Sequence, residues 1–236
     1  MSEIWPEIGR GRPVVERNSE QERRREALLD AAERKLAEKG LLQTGLQEIG
    51  AAIGMAPYAV RAHFGNREMV VEAVLERHVE RLTTRVGEWN ALCGAADPAE
   101  RLTDAVRVLL ELLGAYRDGQ RVHVAAISGA SPALARALKL KQRHLVHFYA
   151  GLIAAAVPEA SGRTELAMPA AMSLMGMACW HVLWFREMAA VSRGEYARLV
   201  AHMLIEGVRA ACAAGVAAWP SPGSPIGDPT SPAERE

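Results

Sequence analysis

The chain is predicted to be all-α, a small three-helix head followed by a larger helical body. Three observations predict it. Apolar residues recur every three or four positions through most of the 236 residues, as along Leu28, Ala32 and Leu36 or Leu102, Val106, Leu109 and Leu113. Cap and breaker residues fall at helix-length intervals, among them Gly40, Asn66, Asp97-Pro98 and Ser131-Pro132. No convincing strand appears anywhere.

Residues 1–21 are mixed in charge and lack helical periodicity, so they read as a flexible arm. Within them, Gly9-Arg10-Gly11-Arg12-Pro13 matches the core of AT-hook peptides, whose arginines lie along a minor groove. The alternative is an ordinary solvated tail; Glu3, Glu7 and Glu16 flank the motif. A helix then runs from Glu22 to Lys39 and ends at Gly40.

Two short helices follow within Thr44–Glu68. Ile49 and Ile53 share one face of the first, and Val60 and Phe64 share one face of the second. Between them, Gly54 supplies the left-handed residue that ends a helix, and Pro57 suits the first turn of the next because its missing N–H needs no partner there. This is a helix-turn-helix, whose second helix, about Pro57 to His63, can enter a DNA major groove. From Ile49 to Arg67 there is no acidic residue, whereas Arg61, His63 and Arg67 all fall inside that stretch, as a phosphate-facing surface requires.

Asn66 caps a fourth helix that carries Val70, Val74 and Leu75 inward and runs to about Trp89. No linker composition separates the head, residues 22–66, from the body, residues 67–218. In the body, Asp97-Pro98-Ala99-Glu100 reads as a capping box and opens a helix. Tyr116 to Gly119 reads as a turn, Val122 to Ser128 as a short helix, and Ser131-Pro132 as the start of a longer one bearing Leu134, Leu138, Leu145, Phe148 and Leu152. Pro158 to Gly162 is a break; an apolar helix follows, extending to about Val191. Gly194 marks the next turn, and a last helix runs from Glu195 to Ala217. Residues 219–236 hold five prolines with Ser and Gly and read as a disordered tail.

At Ala31-Ala32, Gly40, Thr44, Ile49-Gly50, Gly54, Phe64 and Arg67-Glu68 the chain resembles the TetR family of bacterial transcriptional regulators. The resemblance covers about residues 23 to 80, roughly a quarter of the chain. It implies a DNA-binding head, a ligand-binding and dimerisation body, and, as partners, a double-stranded operator, a second copy of the chain and a small-molecule effector of unknown identity. The family usually has Ser or Thr where Ala56 stands, a small residue at Tyr58 and Tyr at Arg61. On this reading Pro57 opens the recognition helix, Tyr58 touches a base or sugar, Arg61 reads a base edge or clamps a phosphate, and Thr44, His63 and Arg67 hold phosphates. Arg10 and Arg12 are the candidate minor-groove contacts. The expected mechanism is promoter occupancy relieved by ligand; a regulator without a ligand, or a helical enzyme or metal protein using its histidines, are the alternatives.

Basic and acidic residues balance at 28 each, so the case for DNA rests on local placement. Cys93, Cys179 and Cys212 lie far apart, without zinc-site spacing, and the N-terminus lacks a signal-peptide core, so a cytoplasmic protein is expected. Leu166 to Phe185 has no Asp, Glu, Lys or Arg and is long enough to span a bilayer, but Pro169, Ser173, Gly176 and His181 suit a buried bundle helix better. No cofactor, metal site or catalytic residue is expected: His144 and His147 sit beside Lys141 and Arg143, with no carboxylate at ligand spacing, and Ser128 follows no strand. Trp89, Tyr116, His123, Phe148, Met172, Met175, Cys179 and Trp180 are the candidate pocket wall, since aromatic and sulfur groups suit an apolar ligand. Plain core and, for Trp180 with Trp184, a subunit seam are the competing readings.

Overall fold

The structure is a computed structural model that describes residues 20–94, 97–129, 132–186 and 191–215. Those residues form nine α-helices, one 3-10 turn and no strand: α1 Glu20–Lys39, α2 Leu46–Ala51, α3 Pro57–Phe64, α4 Arg67–Leu92, α5 Pro98–Ala115, α6 Arg117–Gly129, α7 Pro132–Ala156, α8 Thr164–Trp184 and α9 Arg193–Ala213, with the 3-10 turn at Pro158–Ala160. Arg10, Arg12, Ser131 and the tail from 219 lie outside the described residues.

The local signals act as their chemistry dictates. Gly54 has φ +70°, and Pro57 is the first residue of α3. The Asn66 side chain accepts from the Met69 N–H at 2.8 Å, and the Asp97 carboxylate accepts from the N–H groups of Ala99 and Glu100. Ala56 precedes α3 without any side-chain cap.

Several boundaries differ from the sequence expectation: α1 starts at Glu20, α4 runs to Leu92, α9 ends at Ala213 short of Ala217, and three further differences bear on the packing. α6 begins at Arg117 rather than Val122, and the turn shrinks to Tyr116, whose N–H still bonds the Leu112 carbonyl while its own carbonyl accepts from Gln120. Gly119 is thus helical, and its missing side chain serves close approach: a Cβ there would stand 2.6 Å from Nδ1 of His78 and 2.9 Å from Oε1 of Glu33. α8 stops at Trp184, short of Val191. Gly194 is no turn but lies in the first turn of α9, because Ser192 and Glu195 form a reciprocal cap just before it.

The core is in two parts. In the head, Leu28, Leu36, Ile49, Val60, Phe64 and Val74 pack together, joined by Val122 and Ala126 of α6 and Leu138 of α7. In the body, Leu109, Leu113, Tyr149, Ile153, Leu174 and Val200 form the centre, with α5 lying along α9 and α7 along α8. α4 serves both, through Val70 to Leu75 at one end and Leu82 and Val86 at the other. α8 is long and apolar enough to cross a membrane, yet it buries one face (Ala167, Ala171, Leu174, Ala178, Val182) in this bundle. The other face is open, with Trp180 59% and Trp184 51% exposed, so α8 is not buried all round.

One charged group ties the head together. Arg77 of α4 is 8% exposed and reaches three carboxylates of α1: Glu26 at 3.0 Å, Asp30 at 2.8 Å and Glu33 at 2.6 Å. These sit four and three residues apart and share one face of α1. Arg81 joins more loosely, 3.4 Å from Glu33, and is more exposed. Arg77→Ala strands Glu33, itself 8% exposed, without its main partner. It should lower the free energy of unfolding by about 3 kcal/mol, the low end for a broken buried pair, whereas Arg81→Ala should cost about 1 kcal/mol or less. Urea denaturation of the two variants checks the contrast.

Candidate nucleic-acid interface and body cavity

The recognition helix is held by its apolar side and presents its polar one. Val60 and Phe64 of α3 are buried, and the Arg25 guanidinium lies 5.2 Å from the Phe64 ring centre, closing that side with a cation–π contact. Gly50 of α2 brings the two helices close; a Cβ there would stand 2.4 Å from the Met55 carbonyl oxygen. Pro57, Tyr58 and Arg61 face solvent, Tyr58 with 80% of its surface exposed, and His63 is half-buried. No carboxylate lies on α3 or in the turn before it.

Two of the expected phosphate contacts are engaged inside the protein. Thr44 is 1% exposed, and its hydroxyl lies 2.9 Å from the Gly40 carbonyl and 3.1 Å from that of Lys35. Arg67 donates from Nε to the Thr44 carbonyl at 2.9 Å and from its guanidinium to the Leu41 carbonyl. Together they latch the α1–α2 loop to the start of α4. Backbone carbonyls thus engage both side chains, and a carbonyl partner leaves no trace in the residue pattern.

In the body, a cavity of about 210 Å³ lies between α4, α5, α6, α7 and α8. His123, Met172, Met175 and Cys179 line it, as the sequence suggested. Trp89, Tyr116, Phe148 and Trp180 do not. The first three pack half-buried against the body core, Tyr116 under the Arg81 guanidinium and Phe148 edge-on to Tyr149, while Trp180 points outward. His78, Gln120 and Gln142 were missed and form the polar wall. The signal available for His78 was its place four residues from both Val74 and Leu82, in an otherwise apolar stripe; for Gln120 it was the three-residue spacing to His123.

The wall is hydrogen-bonded in pairs. His78 Nε2 donates to Gln120 Oε1 at 2.9 Å, Gln120 Nε2 donates to the Cys179 carbonyl at 3.3 Å, and Gln142 Nε2 donates to His123 Nε2. The two imidazole centres are 5.8 Å apart. Burial pulls each histidine down to about 4; Arg81 adds to the shift at His78 and the neighbouring imidazole at His123. His144 is exposed and His147 donates from Nδ1 to the Arg143 carbonyl. Among the described residues no three His, Cys, Asp or Glu side chains gather as a metal site.

A helix-turn-helix head with an exposed, acid-free recognition helix, on a helical body that encloses a cavity, defines the class of two-module transcriptional regulators. Comparison with known proteins makes this specific: residues 28–74 match the family model for bacterial regulatory proteins of the tetR family, and residues 95–208 match that for the tetracyclin repressor-like C-terminal domain. The chain belongs to the TetR family of DNA-binding transcriptional regulators. It is 33% identical over 85 residues to the HTH-type transcriptional regulator BetI of Rhizobium meliloti (strain 1021), a match spanning 36% of this chain and 41% of that protein. Similar folds include a TetR-family regulator from Bordetella parapertussis 12822 (TM-score 0.67, 23% identity, 78% of this chain and 95% of that one). Another is AibR in complex with isovaleryl coenzyme A and operator DNA (TM-score 0.61, 22% identity, 77% and 98%). A third is the fatty acid degradation regulator FadR from Bacillus halodurans (TM-score 0.62, 20% identity, 77% and 94%).

The depressed histidines make stability depend on pH with a definite sign. Unfolded, each binds a proton below its ordinary 6.5; folded, neither does until about 4, so stability is full above 6.5 and is lost as pH falls toward about 4. His123→Gln should flatten the fall in that window relative to the parent, as read from urea unfolding at a series of pH values.

Proposed function

We propose that the protein is a ligand-responsive repressor that binds a pseudo-palindromic operator as a homodimer and is released by a small molecule. The observation that carries this reading is the double role of α6. Its residues Gln120, His123 and Ile127 line the cavity, while Val122 and Ala126 belong to the core of the head. A ligand that fills the cavity therefore presses on an element the recognition helix is packed through, and the response is set by its differential affinity for the two arrangements.

At the DNA, Tyr58 is the candidate for base or sugar contact and Arg61 for a base edge or phosphate, with Pro57 and His63 at the margins. The Arg10–Arg12 arm remains a candidate minor-groove contact. The open face of α8, together with Leu199 and Met203 of α9, both more than half exposed, is the proposed subunit seam. With a second copy there, the two recognition helices are proposed to enter successive major grooves on one side of the duplex, roughly a helical turn apart or slightly more. The head is taken as residues 22–66, the body as 67–218, and the location as cytoplasmic. AibR, seen with both a ligand and operator DNA, is a precedent for the two occupancies in one fold. The open cavity favours a ligand-responsive regulator over one that acts without a ligand.

Selection of DNA from a random duplex pool tests the reading. An enriched pseudo-palindrome is expected; none enriched by a folded dimer would overturn it. Arg61→Ala should weaken binding of the enriched site by about 1–3 kcal/mol, measured by fluorescence anisotropy. Trp180→Asp, which sets a charge in the proposed seam, should shift the protein to monomer in sedimentation and abolish operator binding together.

A further inference from the structure

The cavity also restricts the chemistry of what it accepts. Among the described residues lining it, none is Asp, Glu, Lys or Arg. Arg81, near His78, is already drawn to Glu33 and Asp30 of α1 and lies over the Tyr116 ring. A carboxylate entering here would lose its water and, among the described residues of this wall, find no free cation, and an ammonium would find no carboxylate; either desolvation goes uncompensated.

Two ring nitrogens of the polar wall have no partner among the described residues: Nδ1 of His78, which faces Gly119 of α6, and Nδ1 of His123. Gln142 donates to Nε2 of His123, so the neutral ring carries its proton on Nδ1. That Nδ1–H is buried and has no partner among the described residues, on a ring 2% exposed that lines the cavity. A buried donor without an acceptor costs free energy that an arriving acceptor recovers. The cavity is lined as well by Met172, Met175 and Cys179, whose polarisable sulfurs favour the edge of an aromatic ring. A dry cavity of about 150 Å³ holds benzene, so about 210 Å³ suits one ring with a short substituent. Ile127 and Met172, both more than half exposed, form the mouth.

We propose that the effector is a small uncharged aromatic molecule whose single carbonyl or hydroxyl oxygen accepts a hydrogen bond from Nδ1 of His123, with the ring against the sulfurs of α8. This rests on the reading of the cavity as the effector site. The test is calorimetric titration of the full chain with acetophenone, benzyl alcohol, ethylbenzene, benzoate and benzylamine, repeated on His123→Phe, with operator binding followed separately in each case. The two neutral oxygen compounds should bind about tenfold tighter than ethylbenzene and than either ion, since an unmet buried donor and an unpaired buried charge each carry a cost of about that order. In His123→Phe the advantage over ethylbenzene should vanish. Benzoate or benzylamine binding as well as benzyl alcohol, ethylbenzene matching acetophenone, or no binding by any of the five to the unmodified chain would each overturn the proposal. Should operator binding persist in that last case, the DNA-binding reading stands without it. Should the ligand ranking hold while no DNA is bound, the regulator reading fails instead.

Discussion

The buried guanidinium of Arg77 constrains everything at the head. Taken out of water, it is tolerable only where carboxylates surround it, and α1 supplies three on one face. This sets the rotation and register of α1 against α4, because a shift of one residue would turn that face away. Since α2 and α3 pack on α1 and α4, the orientation of the recognition helix is inherited from this cluster. The Thr44–Arg67 latch closes the same unit at its other end.

Next to this cluster α1 also receives α6, and there the constraint is steric rather than electrostatic. The approach leaves room for no side chain at Gly119, with His78 of α4 and Glu33 of α1 both against it. Glu33 thus belongs to the charged cluster and also touches the helix that walls the cavity. Head and body are joined by packed, hydrogen-bonded contacts along their length and not by a flexible tether. A displacement of α6 has little freedom to be absorbed before it reaches α1.

Much of the architecture was legible because it depends on local chemistry. Gly54, Pro57, Asn66 and Asp97 act where they stand in sequence, and the apolar stripes of α1, α4 and α5 are buried as their spacing requires. What misled was chemistry decided between elements. Tyr116-Arg-Asp-Gly has turn composition, but its glycine answers a tertiary contact, so the helix runs through it. Thr44 and Arg67 carry the polar groups of a phosphate site, and the backbone carbonyls of Gly40, Lys35 and Leu41 engage them as well. Aromatic content located the body's apolar interior without separating core from cavity: Trp89 and Phe148 fill space, and the cavity is left where smaller leucines, methionines and a buried histidine–glutamine wall meet. Polar residues set in apolar stripes, His78 above all, were the better guide to it.

α8 turns Met172, Met175 and Cys179 toward the cavity and Trp180 and Trp184 outward, to the face proposed as the subunit seam. One rigid element then serves two equilibria. By mass action, a molecule that alters the helix's fit on one side alters the association constant on the other, and the reverse holds to the same factor. Apparent affinity for an effector would consequently drift with protein concentration, so the sensitivity of such a regulator is partly set by how many copies a cell contains.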